Sequence, residues 1–235
     1  MIDLLEHEFR QWTQHGEDGV IKKIVETIPV KWTPQLFLEI GAHFHEANCI
    51  RLQQWEHWKG FYFDDFHEFQ PLGFYKLWVT KDNINGILRP SYPKEFDLFS
   101  CDIDGNDFYV TKSILAEFSP RVLIIEINAT LLDTDAKVMP YNENFRWDGT
   151  SFYGASAMAW KKLGEKYDYS VVYIEKSGTN MFLVKNQDLA EAKDKFLNVG
   201  DIPFHFSRIS TKENFHKADP HNRQFLSFEE AMTEK

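Results

Sequence analysis

The chain has 235 residues, 43% hydrophobic and 26% charged, an ordinary globular mix that excludes wholesale disorder and needs no disulfide framework or structural metal to fold. Its 26 Lys and Arg against 36 Asp and Glu give a net charge of −10 with no basic block, so a nucleic-acid partner is not expected. No apolar run approaches the roughly 18–20 residues of a membrane span, and the acidic, amphipathic start MIDLLEHEFR does not read as a signal peptide.

By length the chain reads as a single domain over 1–235, with a core over about 15–190 and a C-terminal tail over about 205–235. Cys49 and Cys101 lie far apart in apolar segments, which fits buried reduced thiols in a cytoplasmic protein. In chain order, Val20, Ile21, Ile24, Val25 and Ile28 recur on one face of a helix over Glu17–Thr27. Phe37–Ile40 is a short strand ending at Gly41, and Asn48–Trp58 reads as a second helix. Gly60–Phe63 is a strand ending in Asp64 and Asp65, and Leu77–Thr80 reads as a third. Phe96–Cys101 is a fourth strand, ending at Asp102. A helix over Asp107–Phe118 is stopped by Pro120, and Val122–Ile125 is a fifth strand ending at Glu126.

Alternating strands and helices predict a parallel sheet covered on both faces. The continuous apolar runs of the fourth and fifth strands suit its centre. Ser170–Ile174 and Met181–Val184, joined by a turn at Lys176–Thr179, read as an antiparallel hairpin. The expected fold is therefore α/β, a doubly wound, mostly parallel sheet with a terminal antiparallel hairpin. The segment Leu131–Gly154 is long, polar and aromatic without periodicity, and loops of that length are usually functional.

Ligands of open α/β sheets bind beyond the carboxyl ends of the strands, so the residues that end each strand matter. Here those ends deliver Glu39 and Gly41, then Asp64 and Asp65, then Asp102, Asp104, Asn106 and Asp107, then Glu126 and Asn128. Glu39 and Gly41 read either as a strand-to-turn signal or as backbone that a ligand approaches closely. Asp64 suits the two hydroxyls of a ribose, with a helix N-cap as its competing use. The cluster from Asp102 to Asp107 holds more acids and amides than capping can employ, and crowded carboxylates repel unless a cation or shared proton relieves them. Oxygen ligands suit a hard divalent cation, with Glu126 and Asn128 completing the shell. His43 and His45 lack a third nearby ligand for zinc and suit the surface or a pocket lining. Serine-elbow and P-loop motifs are absent from the sequence.

Four ordered motifs resemble the FkbM-type S-adenosylmethionine methyltransferases, and within them a branch with a QNGEDG opening and an IDIDGND centre. They are Gln14–Gly19, Phe37–Ala42, Trp58–Asp64 and Asp102–Asp107; Phe145–Ser156 also resembles that branch, so the likeness runs over roughly 12–185. The resemblance implies a Rossmann-like class I methyltransferase fold. It also implies that Glu39 and Gly41 hold the methionine part of the cofactor, that Asp64 holds its ribose, and that Gln14, Glu17, Asp18 and Asp102 border the same pocket. One position departs from the pattern: His45 stands where the family's first turn has a second glycine, and its side chain would crowd the methionine moiety or reroute the turn.

The centre is also similar to metal-dependent sugar O-methyltransferases with an LDGDLY-like segment. That likeness makes Asp102 a ligand of Mg2+ or Mn2+ and Asp104 a base close to the ion, with Glu126 and Asn128 as further ligands. Ile127 separates the last two, where those enzymes have adjacent ligands. The expected reaction is direct methyl transfer from S-adenosylmethionine to a hydroxyl of a sugar or other polyhydroxylated small molecule. Glu126 and His43 stand next in line as bases. Arg146, Trp147, Thr150, Ser151 and Tyr153 offer stacking faces and hydrogen bonds to such an acceptor, while lid packing is the other use of Trp147 and Tyr153. Two alternatives remain at this point: a D-x-D metal-dependent glycosyltransferase built on Asp102 and Asp104, and a non-catalytic protein of the methyltransferase fold. A homo-oligomer is compatible with the sequence.

Overall fold

A computed structural model describes residues 1–65, 73–192, 195–203 and 216–234. The apolar stripe on Glu17–Thr27 forms helix α1 over those same residues, with Val20, Ile21 and Ile24 buried. Strand β1 (Leu36–Ile40) follows, then α2 (Ile50–Trp55), β2 (Lys59–Asp64), β3 (Phe74–Lys76) and α3 (Ile84–Leu88). After these come β4 (Glu95–Cys101), α4 (Asp107–Glu117) and β5 (Ser119–Glu126). A two-residue strand β6 (Lys137–Val138) and α5 (Ala157–Lys166) lead to the hairpin β7 (Tyr169–Ile174) and β8 (Asn180–Lys185). The chain ends with α6 (Asn186–Leu189), β9 (Leu226–Ser227) and α7 (Phe228–Thr233).

Seven strands form one sheet in the order β3-β2-β1-β4-β5-β8-β7. Neighbours from β3 to β5 pair in parallel. Strand β8 inserts antiparallel between β5 and β7. This is the expected doubly wound, Rossmann-like sheet with its terminal hairpin. The alternation of side chains along each strand feeds two cores. Phe37, Leu98, Ile124 and Phe182 face α1 and α2. Leu38, Phe99, Leu123 and Leu183 face α3, α4 and α5, where Trp160 is almost wholly buried. Truncating a ring such as Phe99 to Ala would cost about 3–5 kcal/mol in lost burial and cavity formation.

At the amino-terminal edge of the sheet, buried Arg121 pairs with Asp97 at 3.0 Å and Asp188 at 2.9 Å. Removing its charge would leave buried Asp97 without its cationic partner, while Asp188 keeps Lys31 at 2.8 Å. The opposite edge, at the carboxyl ends, carries the site. Because the chain returns from β3 on the outside of the sheet to β4 beside β1, the order reverses between β1 and β4, where a crevice opens.

Two elements differ from the sequence reading. The third strand is Phe74–Lys76, not Leu77–Thr80. Beyond Lys76, Thr80 and Asn83 exchange backbone-to-side-chain hydrogen bonds, and the Asn83 amide donates to the Trp78 carbonyl. That turn draws the segment off the sheet and into α3. The second helix begins only at Ile50, because Asn48 and Cys49 are held at its start by Glu39. The expected tail over about 205–235 is described from 216 onward; its earlier part lies outside the described residues. From there it packs on the domain. Strand β9 pairs with β6, Lys112 donates to the carbonyls of Ala231 and Met232, and the Tyr109 hydroxyl donates to Glu234 at 2.5 Å.

Candidate functional site at the carboxyl edge of the sheet

A cavity of about 570 Å³ opens over the ends of β1, β2, β4 and β5. Gly41 turns the chain out of β1 with φ +85°, and a Cβ there would lie 1.4 Å from the carbonyl oxygen of Asp102. Only glycine permits that conformation together with so close an approach of two strand ends. Glu39, buried beneath, accepts from the N–H groups of Asn48 at 2.7 Å and Cys49 at 2.8 Å. Both its oxygens thus cap the entry to α2. Burial pushes its carboxyl up to about 7 against the pull of those two bonds. The Glu39 side chain therefore shapes the turn as well as lining the cavity.

Asp64 and Asp65 border the cavity at the end of β2. Asp65 is spoken for by Arg146, at 2.6 Å. At the end of β4, Asp102, Asp107 and Glu126 offer carboxylate oxygens within 4.8 Å of one another. Desolvation and the neighbouring acids push Asp102 and Glu126 well above the usual carboxylate range. Glu126 is 8% exposed, and its Oε2 has no hydrogen-bond partner among the described residues. Asp107 accepts from the N–H groups of Ile103 at 2.7 Å and Gly105 at 2.8 Å, which fixes the loop.

Asp104 lies outside that tight triad, with φ +57° at a turn open to the cavity, and partial desolvation by its surroundings plus the charges of Asp107 and Asp64 raise it to about 6. The acid that joins Asp102 and Glu126 is thus Asp107 rather than Asp104. Asn128 corrects the expected ligand set. Its amide nitrogen donates to the carbonyls of Ser151 and Tyr153, and its oxygen accepts from the N–H and hydroxyl of Thr130. With every position used in pinning the loop, no lone pair is left for an ion.

The opening motif is corrected in part. Asp18 is buried and one of its oxygens accepts from the N–H groups of Gln11, Trp12 and Thr13 and from the Thr13 hydroxyl. Glu17 is equally buried and joins His15 N–H to the Asn180 amide. Neither borders the cavity; together they fold the loop that presents Gln14 and His15 to it. His43 lines the cavity and is exposed, whereas His45 is exposed and does not line it.

Of the five expected acceptor contacts, Trp147 and Tyr153 border the cavity and Arg146, Thr150 and Ser151 do not. Arg146 reaches across to Asp65 and lies over the Trp78 ring at 4.5 Å. The Thr150 hydroxyl bonds Asp148 and Arg223, and Ser151 N–H donates to the Lys217 carbonyl. All three stitch the long segment to its neighbours. The sequence reading missed Trp78, Phe145, the hairpin turn Ser177–Asn180 and His216, all of which line the cavity. The hairpin turn was visible as a turn, but its position depends on β8 entering the sheet next to β5. His216 meets Trp147 edge-on at 4.8 Å and Tyr153 at 5.2 Å. No local signal marks it, because the docking of the C-terminal segment brings it there.

No protein-family model matches the chain, and no curated protein matches it. Among solved structures, the chain is similar to the CurJ carbon methyltransferase, at 12% identity and a TM-score of 0.43, covering 72% of this chain and 52% of that one. The chain thus spans about half the length of that relative. It is also similar to a putative ribosomal RNA methyltransferase from Plasmodium falciparum, at 13% identity and a TM-score of 0.42, covering 74% of this chain and 97% of that one. Among the described residues, no helix is long and apolar enough to cross a membrane.

Proposed function

We propose that the protein is an S-adenosylmethionine-dependent methyltransferase that transfers a methyl group to a hydroxyl of a sugar or another polyhydroxylated small molecule. The observation that carries this reading is the gathering of the Gly41 turn, Asp64 and the Asp102–Glu126 cluster around one cavity at the reversal point of the sheet. Its volume of about 570 Å³ suits a nucleoside-sized cofactor beside a small acceptor. Asp64, at the end of the strand next to β1, is the acid for the ribose hydroxyls. Gln14 and His15 border the cavity from the opening loop.

The bound sulfonium supplies an already activated methyl group, so the protein's part is to orient the acceptor and take its proton. Asp104 is the proposed base. Raised to about 6, it is mostly ionised at neutral pH yet more basic than an ordinary aspartate. Trp147 and Tyr153 offer faces against which a sugar ring can rest. The all-oxygen donor set of Asp102, Asp107 and Glu126, with Glu126 Oε2 buried and unpartnered, fits a hard divalent cation such as Mg2+ or Mn2+. A cation held there would lower the pKa of the acceptor hydroxyl. The test is titration of the purified protein with S-adenosylhomocysteine by calorimetry. Saturable binding is expected, and its absence at millimolar ligand refutes the reading.

A further inference from the structure

The polar lining of the cavity is one-sided. Among the described residues around it, seven are Asp or Glu and none is Lys or Arg. Two of the acids are neutralised at the rim, Glu46 by Arg10 at 3.1 Å and Asp65 by Arg146 at 2.6 Å. Glu39 spends its oxygens on backbone N–H groups. Asp102, Asp104 and Glu126 line the same cavity.

Hydrogen-bonding capacity is skewed the same way. Trp78 Nε1 donates to the Glu143 carbonyl and Trp147 Nε1 to that of Thr150. The amide nitrogens of Asn48 and Asn106 donate to Ser100 Oγ and the Asn142 carbonyl. These lining donors are committed within the protein. On the acceptor side, Glu126 Oε2 and Asn180 Oδ1 are buried and without partners, in residues 8% and 3% exposed. A ligand that satisfies these two acceptors must bring donors.

Beside the acids stands an aromatic wall. Trp147, Tyr153 and His216 meet edge to face, with centroids 4.8–6.0 Å apart. Tyr153 lines the same cavity as Asp102, Asp104 and Glu126. Ring faces next to carboxylates are the environment in which an ammonium group gains both charge pairing and cation–π attraction.

We infer that the acceptor taken by this site is a cation: a hydroxylated molecule bearing a protonated amine, held between Asp104 and the Trp147–Tyr153–His216 wall, with phosphorylated and carboxylated analogues rejected. The inference rests on the methyltransferase reading for the word acceptor. The ligand preference itself depends only on the cavity. Among the described residues lining the cavity no Lys or Arg would receive an anion, which would instead face the acids there, and the penalty for such like-charge juxtaposition sets specificity.

The test compares glucosamine, glucose and glucose 6-phosphate as probes, titrated into the full-length protein with and without S-adenosylhomocysteine and followed by ligand-observed NMR. Glucosamine is expected to bind at least about tenfold more tightly than glucose, with glucose 6-phosphate the weakest of the three. Asp104→Asn and Trp147→Leu should each cut the glucosamine-to-glucose ratio to less than about threefold, at unchanged thermal midpoint, as expected when one charge pair or one cation–π contact is removed. Equal or weaker binding of glucosamine, binding of the phosphate as tightly as the amine, or no binding of any probe at millimolar concentration overturns the inference. So does stoichiometric displacement of glucosamine by Mg2+, which would assign the acids to a metal alone. The amine preference without S-adenosylhomocysteine binding refutes the methyltransferase reading and leaves the cation site standing. S-adenosylhomocysteine binding without the preference does the reverse.

Discussion

A Cβ on Gly41 would stand 1.4 Å from the carbonyl oxygen of Asp102, so the ends of β1 and β4 meet backbone to backbone at the crevice. The contact sets the distance between the turn after β1 and the acidic loop after β4. Gly41→Ala must displace one of the two strand ends and also adopt φ near +85°. The expected loss is about 2–4 kcal/mol of stability together with ligand binding. Urea unfolding measures the first; a stability within about 0.5 kcal/mol of wild type would show that the turn relaxes freely.

Asp64→Ala removes the acid assigned to the ribose. Each charge-assisted hydrogen bond is worth about 1.5–3 kcal/mol, so the dissociation constant for S-adenosylhomocysteine should rise at least about tenfold. An unchanged constant takes Asp64 out of the site.

Stability should depend on pH through Glu39. Its carboxyl is raised from 4.5 to about 7 in the folded protein. Between those values the folded state holds a proton that the unfolded state has released, so stability falls as pH rises through that window. The full shift corresponds to about 3 kcal/mol, fully present below pH 4.5 and lost above about 7. Asp102 and Glu126 are raised too, by desolvation and the neighbouring acids, and add slope of the same sign. Glu39→Gln should be less steep than wild type between pH 5 and 7 in urea midpoints. Parallel profiles would contradict the linkage.

Much of this architecture was legible in the chain because its signals are local. The stripe Val20, Ile21, Ile24 gave α1 its limits, and the apolar runs ending in Asp102 and Glu126 gave the central strands. The acids at the strand ends were legible for the same reason. Their roles were not, because a carboxylate that binds a ligand and one that caps a loop look alike in sequence. Asp18 and Asn128 became anchors only once Thr13 and Thr130 folded against them. Asp107 displaced Asp104 from the acidic triad because the loop turns through φ +57° at Asp104. His216 was invisible because its neighbours Trp147 and Tyr153 lie more than 60 residues before it.

The carboxylate triad leads to a thermal prediction. A divalent cation at ten times its dissociation constant stabilises the folded state by about 1.4 kcal/mol, which raises the unfolding midpoint by roughly 3–6 °C in a domain of this size. Mg2+ or Mn2+ should produce that shift in wild type and not in Glu126→Gln. Calcium-free, chelator-treated protein with the same midpoint in the presence and absence of Mg2+ and Mn2+ would remove the metal from the account.

The central claim is that the cavity over the Gly41 turn and Asp64 binds the methyl donor. Titration calorimetry of wild-type protein with S-adenosylhomocysteine tests it most directly. Saturable one-to-one binding, weakened at least about tenfold in Asp64→Ala, is the predicted result. No heat at millimolar ligand, from protein whose unfolding is cooperative, would contradict it.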